Sequence, residues 1–113
     1  VTTSSKRKGD AAELEIARIL ADQLGFRVRR KLGAGRMDDE GDIDGLVDTT
    51  VEVKFYANVS RGVSEAIKDL EREHANSGHT FAVAFVKRPR AGWVAVSTVE
   101  QWCAMYREAT SPP

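Results

Sequence analysis

Long apolar runs are missing from this sequence, and cysteine is nearly so. The longest uninterrupted apolar stretch, residues 81–86, is far too short to span a bilayer. No charged-then-apolar leader opens the chain, so neither a membrane partner nor secretion is expected. Cys103 is the single cysteine, which excludes an internal disulfide framework and fits a reducing cytoplasm, the expected location. Its ordinary role would be small apolar packing near the end of a helix. An excess of one charge is lacking as well, since 17 basic and 17 acidic residues cancel. On totals alone that argues against a chain built to coat nucleic acid. There is no internal repeat, and bias in composition is confined to the two ends.

What is present suits one small domain: 113 residues, 42% apolar and 30% charged, allow a modest core and no second one. The expected division is a mobile basic arm over 1–8, a domain over 9–109 and a frayed tail over 110–113. A first helix is predicted from Gly9 or Asp10 to about Leu24, with Ile16, Ala17, Leu20 and Leu24 on one stripe. Asp10 and Glu13 are spaced like a capping box, and Gly25 stands where a helix stops. Strands are predicted over 26–31, 42–46 and 50–55, the first followed by a loop rich in glycine and charge over 32–41. A second helix should start at Val63 or Ser64 and end at Asn76, with Ala66, Ile67 and Leu70 inward and the charges of Lys68 to Glu73 outward. His74 and His79 flank that helix stop and read as surface or capping residues before metal ligands. A strand over 80–86, apolar throughout, should be buried on both faces and run parallel to the third strand. A basic turn, an outer strand over 93–96 and a helix over 99–109, capped by Ser97 or Thr98, complete an α/β order.

The chemistry concentrates in 41–54. Alternation along a strand gives Glu52 and Lys54 one face and Val51, Val53 and Phe55 the other, while Asp42 and Asp44 share a face in their own strand. If those strands pair as a hairpin with polar faces together, carboxylates and one ammonium converge. Like charges so packed resist joint ionisation unless a divalent cation joins them. Glu13 lies in the middle of the first helix's apolar stripe, where it either caps its own helix or needs a partner inside. Basic residues gather at Lys6, Arg7 and Lys8, at Arg27, Arg29, Arg30, Lys31 and Arg36, and at Lys87, Arg88 and Arg90, around this acidic centre. A metal-using enzyme acting on a polyanion would need such a rim; an ordinary mixed surface is the plain alternative.

Glu13, Gly41-Asp42-Ile43 and Glu52-Val53-Lys54, in that order on helix, three strands, helix, two strands, helix, make the chain resemble the PD-(D/E)XK nuclease superfamily. Within it the likeness is to small Holliday junction resolvases of the archaeal and phage type, carried also by Lys8-Gly9, Gly25-Phe26, Gly33-Ala34-Gly35-Arg36, Asn76-Ser77-Gly78 and Trp93-Val94-Ala95-Val96. The resemblance implies a restriction-endonuclease-like αβββαβ core with a mixed central sheet, an extra edge strand and a C-terminal helix. It implies Mg²⁺, replaceable by Mn²⁺, held by Asp42, Glu52 and the Val53 carbonyl, with Glu13 reaching the metal directly or through water, and Lys54 serving the attacking water and the phosphate. Branched DNA would be bound by Lys6, Arg7, Lys8, Arg29, Arg30, Arg36, Lys87, Arg88 and Arg90, and cut by a homodimer, with Phe55, Tyr56, Trp93 and Trp102 as candidate interface residues. Gly41 stands where the family name has Pro, and the loop before Asp42 lacks the serine of the archaeal enzymes, Arg36 being the nearest group for phosphate. Asp44 rivals Asp42 as the motif acid. Readings that remain beside this one are a nuclease for other branched, nicked or duplex DNA, and a non-catalytic nucleic-acid-binding domain.

Overall fold

Apolar side chains on both faces of two neighbouring segments demand a sheet covered on both sides, and the computed structural model, which describes residues 4–31 and 40–113, has one. The chain runs α1 (Ser4–Leu24), β1 (Arg29–Arg30), β2 (Ile43–Asp44), β3 (Thr49–Phe55), α2 (Val59–Ser77), β4 (Phe81–Arg88), β5 (Gly92–Val96) and α3 (Val99–Thr110). This is an α/β chain with a mixed three-stranded sheet, in the order β3-β4-β5. β3 and β4 are parallel, with Glu52 opposite Ala84 and Val53 opposite Phe85, and β5 is antiparallel to β4. Among the described residues no helix is long and apolar enough to cross a membrane.

The two faces carry separate cores. On one, Val51 and Val53 of β3 pack with Ala12, Ile16 and Ala17 of α1, with Val28 and Ile43 alongside and Val83 and Phe85 packed against them. On the other, Ala82, Ala84 and Val86 of β4 meet Ala66 and Leu70 of α2. Since side chains alternate along a strand, Glu52 and Lys54 necessarily face α2. The strand over 81–88 is accordingly asymmetric: Ala82, Ala84 and Val86 are buried, and Val83 and Phe85 only partly so.

Both long helices start earlier than their apolar stripes do. α1 begins at Ser4, so residues 4–8, expected as part of an arm, are helical; Lys6 pairs with Asp10 one turn on, at 3.1 Å. Asp10 and Glu13 do not form a capping box, because they lie well inside the helix and both grip Arg30 of β1. α2 begins at Val59 rather than Val63, since the Asn58 side chain accepts the Arg61 amide hydrogen at 3.0 Å and Gly62 fits close against Val86 and Tyr56. Gly25 and Gly78, both at positive φ, end the two helices as expected. Thr98 caps α3, and Gln101 ties that helix to the start of β4 through the Ala82 amide and the Thr80 carbonyl. Helix α3 extends through Thr110, one residue into the expected tail, and leaves Cys103 half-buried.

β2 departs from the expected hairpin with β3. Its ladder partner is β1, with Arg30 opposite Ile43 and Arg29 opposite Asp44. Gly45 permits this pairing: at φ 117 its Cα comes so near β1 that an added Cβ would meet the Arg27 carbonyl oxygen at 2.6 Å. Of the candidate interface aromatics, Phe55 and Trp93 pack against the α1-side core, Tyr56 is half-buried, and Trp102 is exposed and stacked on Tyr106.

Candidate active site

Among the described residues β3 is an edge strand of its sheet, and that edge determines where Asp42 goes. The Asp42 amide donates to the Val51 carbonyl at 2.7 Å, and the Val53 amide donates to Asp42 Oδ2 at 2.8 Å. Asp42 thus gives partners to two backbone groups on a buried edge. The close approach requires Gly41: its φ is 119, and an added Cβ would stand 2.9 Å from the Val51 carbonyl oxygen. Asp42 is buried, whereas Asp44, two residues on, is exposed and faces Arg29 at 3.7 Å.

Glu52 is buried beside Asp42 and its Oε1 also accepts the Val53 amide hydrogen, at 3.1 Å. The third member comes from α2. Gly62, Ala66, Leu70 and Glu73 follow one helical stripe against the sheet, so Glu73 arrives over Glu52 and is buried. Carboxylate oxygens of Asp42, Glu52 and Glu73 all lie within 4.8 Å of one another, and the three could hold a metal ion. An all-oxygen, all-carboxylate donor set fits a hard divalent cation better than a soft one.

The three carboxyls form part of the wall of an open cleft of about 300 Å³, also lined by Gly9, Glu13, Val53, Lys54, Phe55, Tyr56, Asp69 and Arg72. Lys54 Nζ donates to Asp69 Oδ2 at 2.5 Å and stands 4.0 Å from Glu52 Oε1. Arg72 reaches Asp69 Oδ1 at 3.5 Å and Glu73 Oε1 at 3.8 Å. Burial pushes the Glu52 carboxyl up to about 8; Glu73 adds to the rise, and Asp42 and Lys54 oppose it. Burial alone would lower the Lys54 ammonium, but its hydrogen bond to Asp69 and the charges of Glu52 and Asp69 leave it raised overall.

Glu13 lines the same cleft without joining the trio. Its Oε1 accepts from Arg30 Nε at 2.9 Å, and burial, with the charge of Asp42 next, raises its carboxyl despite that guanidinium. Val53, whose carbonyl the family likeness offers as a ligand, contributes its amide hydrogen to two of the carboxylates. Glu73 and Asp69 are the residues that sequence reasoning assigned to solvent. The signal for Glu73 was present, since continuing the stripe of Ala66 and Leu70 by three residues reaches it. For Asp69 the lysine opposite was the hint, visible only once β3 and α2 are known to pack.

The basic residues split into engaged and open groups. Arg30 is held by Asp10 and Glu13, Lys87 by Glu15 at 2.6 Å, and Arg88 by the carbonyls of Ala91 and Gly92. Arg7, Lys8 and Arg90 are exposed, as are Lys6 and Arg29, each beside an acidic partner. Arg36, with the rest of 32–39, lies outside the described residues. His74 and His79 sit away from the cleft: His74 Nε2 donates to the His79 carbonyl at 2.6 Å, and His79 Nδ1 shares a hydrogen bond with Thr50. No family model, curated protein or solved structure matches the chain, which leaves the chemistry of the cleft to speak for its function.

Proposed function

We propose that this chain is a metal-dependent endonuclease that hydrolyses DNA phosphodiesters, with four-way Holliday junctions as the substrate. The observation that carries the reading is the gathering of Asp42, Glu52 and Glu73 within 4.8 Å in a cleft that also holds Lys54. Asp42, Glu52 and Lys54 are the positions at which the sequence resembles the PD-(D/E)XK nucleases, and the order of helices and strands is compatible with their restriction-endonuclease-like core. One departure is physical: proline holds φ near about −65°, a value far from the φ of 119 at Gly41.

Asp42, Glu52 and Glu73 would hold Mg²⁺, with Mn²⁺ able to replace it. Bound there, such a cation supplies a Lewis acid for the phosphate and a more acidic water. Lys54 would balance the charge that grows on the phosphate oxygens, as a fixed ammonium beside the cleft can. Glu13, oriented by Arg30, would order water at the cleft wall. Arg7, Lys8 and Arg90, with Lys6 and Arg29, offer the open basic groups for a DNA backbone. Two symmetric cuts in one junction call for a two-fold homodimer, which sedimentation at micromolar concentration would test.

The decisive assay incubates the purified chain with junction, flap, nicked and linear duplex DNA, with Mg²⁺, with Mn²⁺ and with chelator. Metal-dependent cleavage of the junction supports the proposal, and cleavage of the other forms alone moves it to a nuclease of another specificity. Binding without cleavage under every metal condition sinks the enzymatic reading in favour of a binding domain.

A further inference from the structure

The trio of carboxylates has an internal competitor. Lys54 Nζ is already 4.0 Å from Glu52 Oε1, and a flexible ammonium this close to clustered negative charge would move onto it and take the place of a cation. What holds it elsewhere is on α2. Asp69 and Glu73 are four residues apart on that helix and therefore lie one above the other, opposite the alternating pair Glu52 and Lys54 of β3. Glu73 faces Glu52, and Asp69 takes Lys54 at 2.5 Å. Both ends of this ion pair are largely enclosed, with side chains 19% and 18% exposed, so water does little to loosen it. Arg72 lies beside the other oxygen of Asp69, at 3.5 Å, and steadies the carboxylate from the rim.

We propose that Asp69 is a positioning residue that keeps the Lys54 ammonium off the Asp42, Glu52 and Glu73 carboxylates, so that a divalent cation can occupy them. The inference rests on the reading of that trio as a cation site. It differs from a merely structural role for Asp69 because its effect must pass through Lys54.

The test is Mn²⁺ binding, by calorimetry and by the Mn²⁺ electron paramagnetic resonance signal, on wild type, Asp69→Asn, Asp69→Glu, Lys54→Met and the double variant. Asp69→Asn is expected to weaken Mn²⁺ binding about tenfold or more, and Asp69→Glu, which keeps the charge, to stay within about threefold of wild type. Lys54→Met should also stay within about threefold of wild type, and the double variant should bind like Lys54→Met, because Asp69 then has nothing to hold. A double variant as weak as Asp69→Asn would make Asp69 a ligand or a structural residue and overturn the proposal. If Asp69→Asn does not fold, Lys54→Met decides: tightening of about tenfold or more would mean that the wild-type ammonium still competes, against the proposal. A wild type that binds neither Mn²⁺ nor Mg²⁺ overturns the cation site and this inference together. A wild type that binds, with Asp69→Asn binding equally well, overturns this inference alone.

Discussion

Raising the pH in the absence of divalent cations should destabilise this fold, and Glu52 should be the main reason. Its carboxyl ordinarily titrates at 4.5 and is pushed up to about 8 in the folded chain. Between those values the folded state holds a proton that the unfolded state has released, so this contribution to stability is fully present below about 4.5 and is lost as pH rises through about 8. The interval corresponds to about 5 kcal/mol, an upper bound for a carboxyl beside a cleft open to water. Glu13 is raised too and works in the same direction. The stability contributed by the raised Lys54 ammonium is fully present below its ordinary 10.5 and is lost only above it, outside this window. With a urea m-value of about 2 kcal/mol per molar, the unfolding midpoint should fall by about 1–2 M between about pH 5.5 and 8.5 in chelator. Glu52→Gln, neutral throughout, should flatten most of that slope, and added Mg²⁺ should restore the wild-type midpoint at the alkaline end. A midpoint that is level or rises with pH, or a slope unchanged in Glu52→Gln, would refute the assignment of Glu52 as a carboxyl protonated by burial.

Other consequences are open to equally direct measurement. Asp42→Asn should abolish the Mg²⁺-induced rise in melting temperature and lower junction cleavage by about a hundredfold or more, while Asp44→Ala should leave both within about twofold, as measured by thermal scanning and single-turnover cleavage. Glu73→Met replaces a buried carboxyl on an apolar stripe, so at alkaline pH without metal it should raise stability by about 1–2 kcal/mol in urea titration while removing the response to Mg²⁺. Gly45→Ala forces a Cβ against the Arg27 carbonyl at positive φ and should cost about 2–3 kcal/mol in the same titration. Leu70→Ala, in the core between α2 and the sheet, should cost about 2–5 kcal/mol without changing which groups bind the cation.

The order of elements was readable because the patterns that dictate it are local. The alternation in β3, the unbroken apolar run of β4, the stripe through Ile16, Ala17 and Leu20 and the Thr98 cap each operate over a few residues. The misread boundaries have local causes as well: Ser4 to Lys8 carries no apolar residue to mark it as helix, and Gly62 made the first turn of α2 look like loop. The partner of β2 was not readable, because pairing is decided by which backbones can come close. A single glycine, Gly45, opens the approach to β1.

The site divides along the same line, between what one strand dictates and what two packed elements decide. Asp42 and Asp44 share a strand face in the sequence pattern, so no periodicity separates them. The edge of β3 separates them, because only Asp42 can take a hydrogen bond from Val53 while giving one to Val51. Glu13 and Glu73 present the more general case. Each lies on an apolar helical stripe, and burying a carboxylate is costly unless something nearby needs it. For Glu13 the oddity is plain in the sequence, and Arg30 and Asp42 stand beside it. For Glu73 the run of alternating charges from Lys68 onward hid the oddity, although the stripe through Ala66 and Leu70 reaches Glu73 without a break. A charge on the solvated face of a helix carries little information, whereas a charge at the next step of the buried stripe points to a site. By that rule Glu73 weighs as much as Asp42 and Glu52 in the carboxylate trio, and the strand motif alone describes only part of the cleft.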